Sequence, residues 1–414
     1  MPVGRLDEHM QPADVTVTEG GPQSKNRRSA SLDGLRGVAA LGIFAFHGWL
    51  YTMPAPNATD RSSIGDYAVH ELRLSLVAFF VLSGFLLSRP WFAAALDAGR
   101  PPALGRYVRA RAARVLPAYY VALAGSIVLL WGLRGTPGLR LPPTEALPLF
   151  AVFGQNFSAA SVMKLNPPMW SLAVEVMFYA MLPLIGWLAL RLPPRRRMQA
   201  LAPLALLALG LLYNWSIAGR GLGLTGSKTL AAMLPYFALG MLAALMLPGR
   251  TIAAGAKRAM IAVGVALVLT DGLVKAAAPA KGLDVGDLFV VIRDVPSGIG
   301  FALVVAALAA APRSRVLGGS LLVGMGTISY GFYLWHVPVL MVLRGYDLLP
   351  LDPVLGSLVA FVPSLVLAIL SWFALERPIL RWSARRDRRA DPDELRGGGG
   401  VDHRGRREVV TARA

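Results

Sequence analysis

The sequence predicts an all-α membrane protein whose chain crosses the bilayer about ten times. Three observations carry that prediction. Of the 414 residues, 55% are hydrophobic and only 16% charged, where a soluble domain of this size carries about 25% charged residues. The mean hydropathy is +0.52, and the apolar residues are gathered into runs that approach the ~20 needed to span a hydrocarbon core. The basic residues, finally, stand in short clusters at the ends of those runs, as topogenic charges do.

The chain opens with a polar stretch, residues 1–31, without the apolar segment of a cleavable signal peptide. It reads as a disordered cytoplasmic arm, so the first helix has to serve as its own insertion signal. The predicted spans are Leu35–Met53, Leu72–Phe92, Val115–Leu133, Met169–Leu190 and Ala200–Ile217. Thr229–Leu247, Met260–Leu273, Leu288–Ala311, Leu321–Leu343 and Val354–Leu375 complete the set. Met260–Leu273 is short for a crossing. Ala146–Ser158 is apolar but shorter still, and reads as a re-entrant or interfacial piece. Residues 32–380 thus form one membrane domain, and 381–414 read as a basic, disordered cytoplasmic tail containing the glycine run Gly397–Gly400.

Charge sets the expected orientation. Arg89, Arg100, Arg106, Arg109, Arg111 and Arg114 lie from the end of the second span to the start of the third. Arg191, Arg195, Arg196 and Arg197 follow the fourth, and Arg250, Lys257 and Arg258 follow the sixth. Placing these clusters in the cytoplasm puts both termini there and requires an even number of spans. The formal net charge of +18 is explained by headgroup-facing clusters, so no nucleic-acid partner is expected. The chain has no cysteine, which excludes disulfides, thiolate metal sites and a cysteine-linked acyl intermediate. His9, His70 and His403 have no metal-ligand spacing, and no metal is expected. Gly221 to Thr229 approximates a phosphate loop, but Lys228 is one residue late and no strand precedes it. Asn57-Ala-Thr has the form of a glycosylation triplet.

Ionisable residues inside membrane spans are costly and mark functional paths. In the first span, Asp33 and Arg36 fall within about 40° of His47 around the helix, with Arg36 and His47 ~16 Å apart along it. One stripe therefore carries an acid and a base at one end and an imidazole deeper in. The structural alternative has Asp33 capping the helix, Arg36 snorkelling and His47 bonding a neighbouring helix. Ser83 in the second span is either a nucleophile or a small packing residue. Arg106, Arg109, Arg111 and Arg114, read as a loop, can clamp phosphates of a soluble donor or simply hold the topology. Glu175, one turn into the fourth span and on a face with Ser171, is a base, an orienter for a histidine, or half of a salt bridge. His336, seven residues after Ser329 in the ninth span, shares the outer-half depth of His47, or belongs to the aromatic belt.

Taken together, these strings resemble the acyltransferase 3 family of membrane acyltransferases. The matching blocks are Leu32-Asp-Gly-Leu-Arg-Gly with His47, Phe79-Phe-Val-Leu-Ser-Gly-Phe, Arg109-Ala-Arg and Arg114-Val-Leu-Pro. They continue through Trp170-Ser-Leu with Glu175, Ile328-Ser-Tyr to Trp335-His, and Glu376-Arg-Pro, in the family order from Leu32 to Pro378. The resemblance implies a ten-helix domain that moves an acetyl or other short acyl group from cytoplasmic acyl-CoA to a hydroxyl. The acceptor it implies is a carbohydrate, lipid-linked sugar or glycosylated metabolite. Acyl-CoA is then a co-substrate, with no resident cofactor, in a multi-pass protein of the cell membrane. His47 is the leading catalytic residue, with Glu175 and His336 beside it, and Arg36, Arg109, Arg111 and Arg114 are the donor-binding set. The chain departs from the family at Val176 and Met177, where many relatives have a second glutamate and a glutamine. The C-terminal esterase-like domain of many relatives is not expected here. The rival class is a transporter or exporter, which predicts an internal repeat with paired broken helices; none is visible.

Overall fold

The computed structural model describes residues 29–53, 63–97, 100–136, 139–218, 220, 223–280, 291–311, 314 and 316–390, and every regular element among them is helical. The long helices are α1 (Ala30–Thr52), α2 (Ile64–Glu71), α3 (Ser75–Asp97), α4 (Leu104–Trp131), α5 (Met169–Arg191) and α6 (Leu201–Ile217). They continue with α7 (Leu230–Met246), α8 (Ala254–Ala280), α9 (Val295–Ala309), α10 (Ser320–Gly345), α11 (Pro353–Ser371) and α12 (Arg377–Ala390). Eight helical stretches among the described residues are long and apolar enough to cross a membrane, so the protein is an all-α, multi-pass membrane protein. The stretches built on α1 and α9 are not in that set. α9 is short, at 15 residues. α1 has 23 residues, but Asp33, Arg36 and His47 dilute its apolar character.

Several boundaries move from those the sequence suggests. The short span Met260–Leu273 is part of the 27-residue α8. Leu288–Ala311 begins outside the described residues and is helical as α9 from Val295. The arginines expected in a loop before the third span lie on α4, which starts at Leu104. The tail expected from residue 381 is helical as far as Ala390: after α11 a π-turn, Trp372–Glu376, leads into α12, which packs on α4. Ile379, Leu380, Ser383 and Asp387 give α12 a face against the protein, while Arg381, Arg385 and Arg386 form an exposed basic face with Trp382, and an amphipathic sequence of this kind folds once it has a surface to lie on. His9, Asn57 and His403 lie outside the described residues.

Glycine decides which helices meet. A Cβ on Gly34 would collide with the carbonyl of Leu317, one on Gly37 with the carbonyl of Leu322, and one on Gly326 with the carbonyl of Asp33. α1 and α10 therefore touch backbone to backbone, the close approach that small residues permit in a membrane. Contacts advance together along the two helices, from Gly37 beside Gly326 to His47 beside His336, so α1 and α10 run parallel. α4 runs with them, with Val115 bonded to Tyr330 and Gly125 against Trp335. α3 and α5 run the opposite way, with Trp170 near Phe80 and Gly186 near Trp91.

Prolines inside helices leave carbonyls without a partner four residues earlier, and tertiary donors fill the gap. Pro338 frees the carbonyl of Leu334, which accepts from Asn166 Nδ2 at 2.9 Å. Pro183 frees that of Tyr179, which accepts from Tyr107 Oη at 3.0 Å. The segment expected to be re-entrant, Ala146–Ser158, consists of single turns that start from Thr144–Ala146 and continue as Leu147–Ala151 and Gln155–Phe157, and Asn166 lies between it and α5. The backbone of the whole stretch is irregular, with Phe153, Met163 and Leu165 all at positive φ. Gln155 and Asn156 donate to the carbonyls of Met169 and Trp170 and fasten the segment to the start of α5. The contacts give the buried amides of Gln155 and Asn156 acceptors that lipid could not supply.

Charged residues within apolar runs also find partners. Arg73, just before α3, bonds Asp294 at 3.1 Å and Glu71 at 2.8 Å, and Lys275 of α8 bonds both Asp271 and Asp294 at 2.7 Å. This network ties α2, α8 and α9 together. Removing one member would leave an uncompensated buried charge, at a cost of about 3–5 kcal/mol.

Candidate active site

α1, α3, α4, α5 and α10 enclose a cavity. At one end it is lined by Arg36, Arg111 and Arg114 with Glu175 and Tyr179, and deeper in by Phe79, Ser171, Ser329 and Tyr333. The arginine end follows from local sequence: Arg36 lies near the start of α1, and Arg111 and Arg114 lie in the first half of α4 on one face, three residues apart. Each guanidinium is held. Arg36 bonds Asp33 at 3.0 Å, and Arg114 bonds Glu376 at 3.2 Å. Asp33 thus pairs with Arg36 instead of capping α1, where Ser29 is the N-cap residue and makes no side-chain cap bond. Arg111 lies beside the Tyr179 ring, its guanidinium carbon 5.9 Å from the centroid.

Arg109 goes elsewhere. Two residues from Arg111, it points to another side of α4 and bonds Asp387 of α12 through Nε at 3.2 Å and Nη2 at 2.6 Å. It is not among the residues lining the cavity. The structure therefore brings three of the four expected donor-binding arginines together and turns the fourth to the neighbouring helix.

Glu175 also has a different partner from the histidine that sequence reasoning offered it. It accepts from Ser83 Oγ at 2.5 Å, which makes Ser83 a hydrogen-bonded member of the cavity wall and not merely a packing residue. Ser171, on the same face of α5, bonds Tyr333 Oη at 2.7 Å.

The histidines meet. His336 Nε2 is 3.0 Å from His47 Nδ1, and both rings are buried. They are not themselves in the cavity lining; Tyr333 stands between, its ring centroid 5.7 Å from that of His336 and 6.3 Å from that of Phe79. The hydrogen bonds fix the tautomers of the neutral pair. His336 Nδ1 is 3.1 Å from the carbonyl of Phe332, which can only accept, so Nδ1 carries the proton and Nε2 a lone pair. His47 Nδ1 faces that lone pair and the carbonyl of Ile43 at 3.1 Å, so it donates to both. His47 Nε2 is thereby left as the acceptor nitrogen, the state a general base requires. Phe44 and Phe332 pack on the His336 ring with Phe361 against both, and Phe46 packs on the His47 ring.

Sequence reasoning missed Tyr333, Tyr330 and Tyr179, which read as ordinary aromatic residues of membrane helices, and Asp387, which reads as part of a tail. Their signal is a hydroxyl or carboxylate at helical spacing from a recognised residue: Tyr333 is three before His336, and Tyr179 four after Glu175. In the rejected phosphate-loop string, Thr229 caps α7 through the backbone N–H of Ala232, and Lys228 Nζ sits 4.3 Å from the Trp170 ring centroid. His70 bonds Glu71 at 2.8 Å.

Comparison with known proteins gives the same direction. The chain is 25% identical over 372 residues to the O-acetyltransferase OatA of Staphylococcus aureus, covering 84% of this chain and 56% of that protein. It thus spans about half the length of that relative. It is 28% identical over 390 residues to a protein of Komagataeibacter xylinus described as the membrane-bound transacylase BcsY, covering 89% and 87% of the two chains. It is also 30% identical over 174 residues to the acyltransferase MdmB of Streptomyces mycarofaciens, covering 41% and 42%. No solved structure matches it. The model of an acyltransferase domain matches residues 29–376, which include all five helices around the cavity and both histidines; the chain belongs to the acyltransferase 3 family of multi-pass membrane proteins.

Proposed function

We propose that the protein transfers a short acyl group, acetyl in the simplest case, from cytoplasmic acyl-CoA to a hydroxyl of a carbohydrate or glycosylated acceptor. The observation that carries this reading is a single cavity with three arginines at one end and, behind Tyr333, a histidine pair with one free acceptor nitrogen. Arginine forks suit the diphosphate and 3′-phosphate of CoA. Arg36 and His47 are ~16 Å apart along α1, a gap that an extended pantetheine arm bridges to present its thioester near the histidines. Arg109 joins the donor set by exchanging Asp387 for a phosphate.

In the reaction, His47 Nε2 takes the proton of the acceptor hydroxyl as its oxygen attacks the thioester carbonyl carbon. His336, by accepting from His47 Nδ1–H, positions the ring and disperses the positive charge that forms. The tetrahedral intermediate collapses, the carbon–sulfur bond breaks, and the CoA thiolate takes the proton back from His47. Glu175, held by Ser83, serves the donor channel rather than the histidines. The names of the relatives, an O-acetyltransferase, an acyltransferase and a transacylase, support acyl transfer as the class of reaction. The basic clusters support a chain of ten spans with both termini and the arginine end of the cavity in the cytoplasm.

The test is direct because the chain has no cysteine: CoA released from acetyl-CoA by purified protein in detergent can be read with a thiol reagent without background from the protein. Thiol release without any membrane gradient, increased by a sugar alcohol, is the expected result. Folded protein that releases none contradicts the donor assignment, and a C-terminal reporter found outside the cell contradicts the orientation.

A further inference from the structure

Most hydroxyls around the cavity already have a fixed acceptor. Ser83 donates to Glu175 at 2.5 Å, Ser329 to the carbonyl of Gly326 at 2.8 Å, and Tyr330 to the carbonyl of Val115 at 2.8 Å. Ser171 and Tyr333 differ. Their oxygens are 2.7 Å apart, and each lies 3.1 Å from the carbonyl oxygen of Pro168. The backbone N–H of Ser171 reaches the same oxygen at 3.2 Å.

A carbonyl oxygen has two lone pairs, so three donors contend for two places. Tyr333 Oη shares this crowded carbonyl with the hydroxyl and N–H of Ser171. The Tyr333 hydrogen rests on that carbonyl or on Ser171 Oγ, and turning it to a ligand exchanges one neutral hydrogen bond for another. Tyr333 lines the cavity, and its ring lies between Phe79 on the donor side and His336. Position three residues before His336 puts both side chains on the same face of α10.

We infer that Tyr333 is a catalytic hydrogen-bond donor to the oxyanion of the reaction, with Ser171 as its resting partner. The inference rests on the acyl-CoA reading above. As the acceptor oxygen, deprotonated by His47, bonds to the thioester carbon, the carbonyl π pair moves to oxygen. The Tyr333 O–H turns from Ser171 Oγ to that oxygen and stabilises it without giving up the proton. When the carbonyl re-forms and the thiolate leaves, the hydroxyl returns to Ser171. A donor in place before the reaction, in a site shielded from water, is the arrangement that favours charge developing in the transition state.

Tyr333→Phe keeps the ring and removes the hydroxyl. With acetyl-CoA as donor and methyl β-glucoside as surrogate acceptor, kcat for thiol release is expected to fall by about 10²-fold. The KM for acetyl-CoA and the melting temperature are expected to stay at wild-type values, which a packing role would not produce. Ser171→Ala frees a lone pair on Pro168 for the Tyr333 hydrogen, and is expected to lower kcat by a smaller factor, again without a change in KM. Should Tyr333→Phe lower the melting temperature, Ser171→Ala decides: loss of kcat alone supports the inference, and wild-type kcat overturns it. Wild-type kcat in a stable Tyr333→Phe protein overturns it as well. Absence of thiol release from the wild-type protein overturns the donor reading, and the oxyanion role with it.

Discussion

At one end of the cavity Arg36, Arg111, Arg114 and Glu175 each have a carboxylate, a hydroxyl or an aromatic face beside them. At the other end, beyond Tyr333, His47 and His336 have each other, two helix carbonyls and a shell of phenylalanine rings. The contrast shows two ways of keeping polar groups inside a membrane domain. The charged end depends on side-chain partners, and in the proposed function a donor phosphate takes the place of the carboxylates beside the arginines. The neutral end depends on backbone: α1 and α10 approach closely only because Gly34, Gly37 and Gly326 have no Cβ. In the proposed reaction charge recruits the donor, and helix packing fixes the base.

The largest way to break this division is to push the two helices apart. Gly326→Leu places a side chain against the carbonyl of Asp33. Overpacking of this kind costs about 1–3 kcal/mol or more, and here it also separates the histidines. A lower melting temperature together with turnover close to background is expected, and a stable, active Gly326→Leu protein would detach the histidine geometry from the glycine contact.

Much of this was legible in the sequence, for physical reasons that differ between regions. Long apolar runs and arginine clusters are one-dimensional signals, so the membrane class and the arginines Arg36, Arg111 and Arg114 that line the cavity could be read directly. His47 and His336 could be named as intramembrane ionisable residues, but their contact joins residues 289 positions apart and depends on glycines that carry no chemical signal of their own. The diluted hydropathy of α1 has the same cause as its importance, since Asp33, Arg36 and His47 are what make it polar. α12 was hidden because a basic amphipathic segment has the composition of a disordered tail until it finds α4. Arg109 illustrates the remaining limit: spacing groups it with Arg111, while a side chain on α12 takes it away.

Smaller effects sharpen the comparison. Arg111→Ala removes a charge-assisted phosphate contact of about 1.5–3 kcal/mol, which corresponds to a rise of about 10–100-fold in the acetyl-CoA KM, with kcat retained. Arg111→Lys is expected to recover only part of it, because an ammonium cannot make the bidentate contact. Arg109→Ala should raise KM less than Arg111→Ala; the reverse order in titrations would assign the main phosphate contact to Arg109. His336→Gln leaves His47 Nδ1–H with Ile43 and loosens its orientation, and a fall in kcat of about 10-fold is expected, below the 10²–10⁴ range of a lost general base. A fall as deep as that of His47→Ala would make His336 a base in its own right. The smallest effect expected is that of Asp387→Asn. Its bond to Arg109 is partly exposed and contributes less than about 1 kcal/mol to stability, so the melting temperature should hold while the acetyl-CoA KM falls by a few-fold. An unchanged KM would leave Asp387 as a surface contact only.

The most direct test of the division between the two ends is His47→Ala, with acetyl-CoA affinity and turnover measured on one folded preparation. Turnover is expected to fall by about 10²–10⁴ while the dissociation constant for acetyl-CoA stays within about twofold of wild type, since the arginine end is intact. Turnover near the wild-type level per folded molecule, or a loss of donor binding that matches the loss of turnover, would contradict the account.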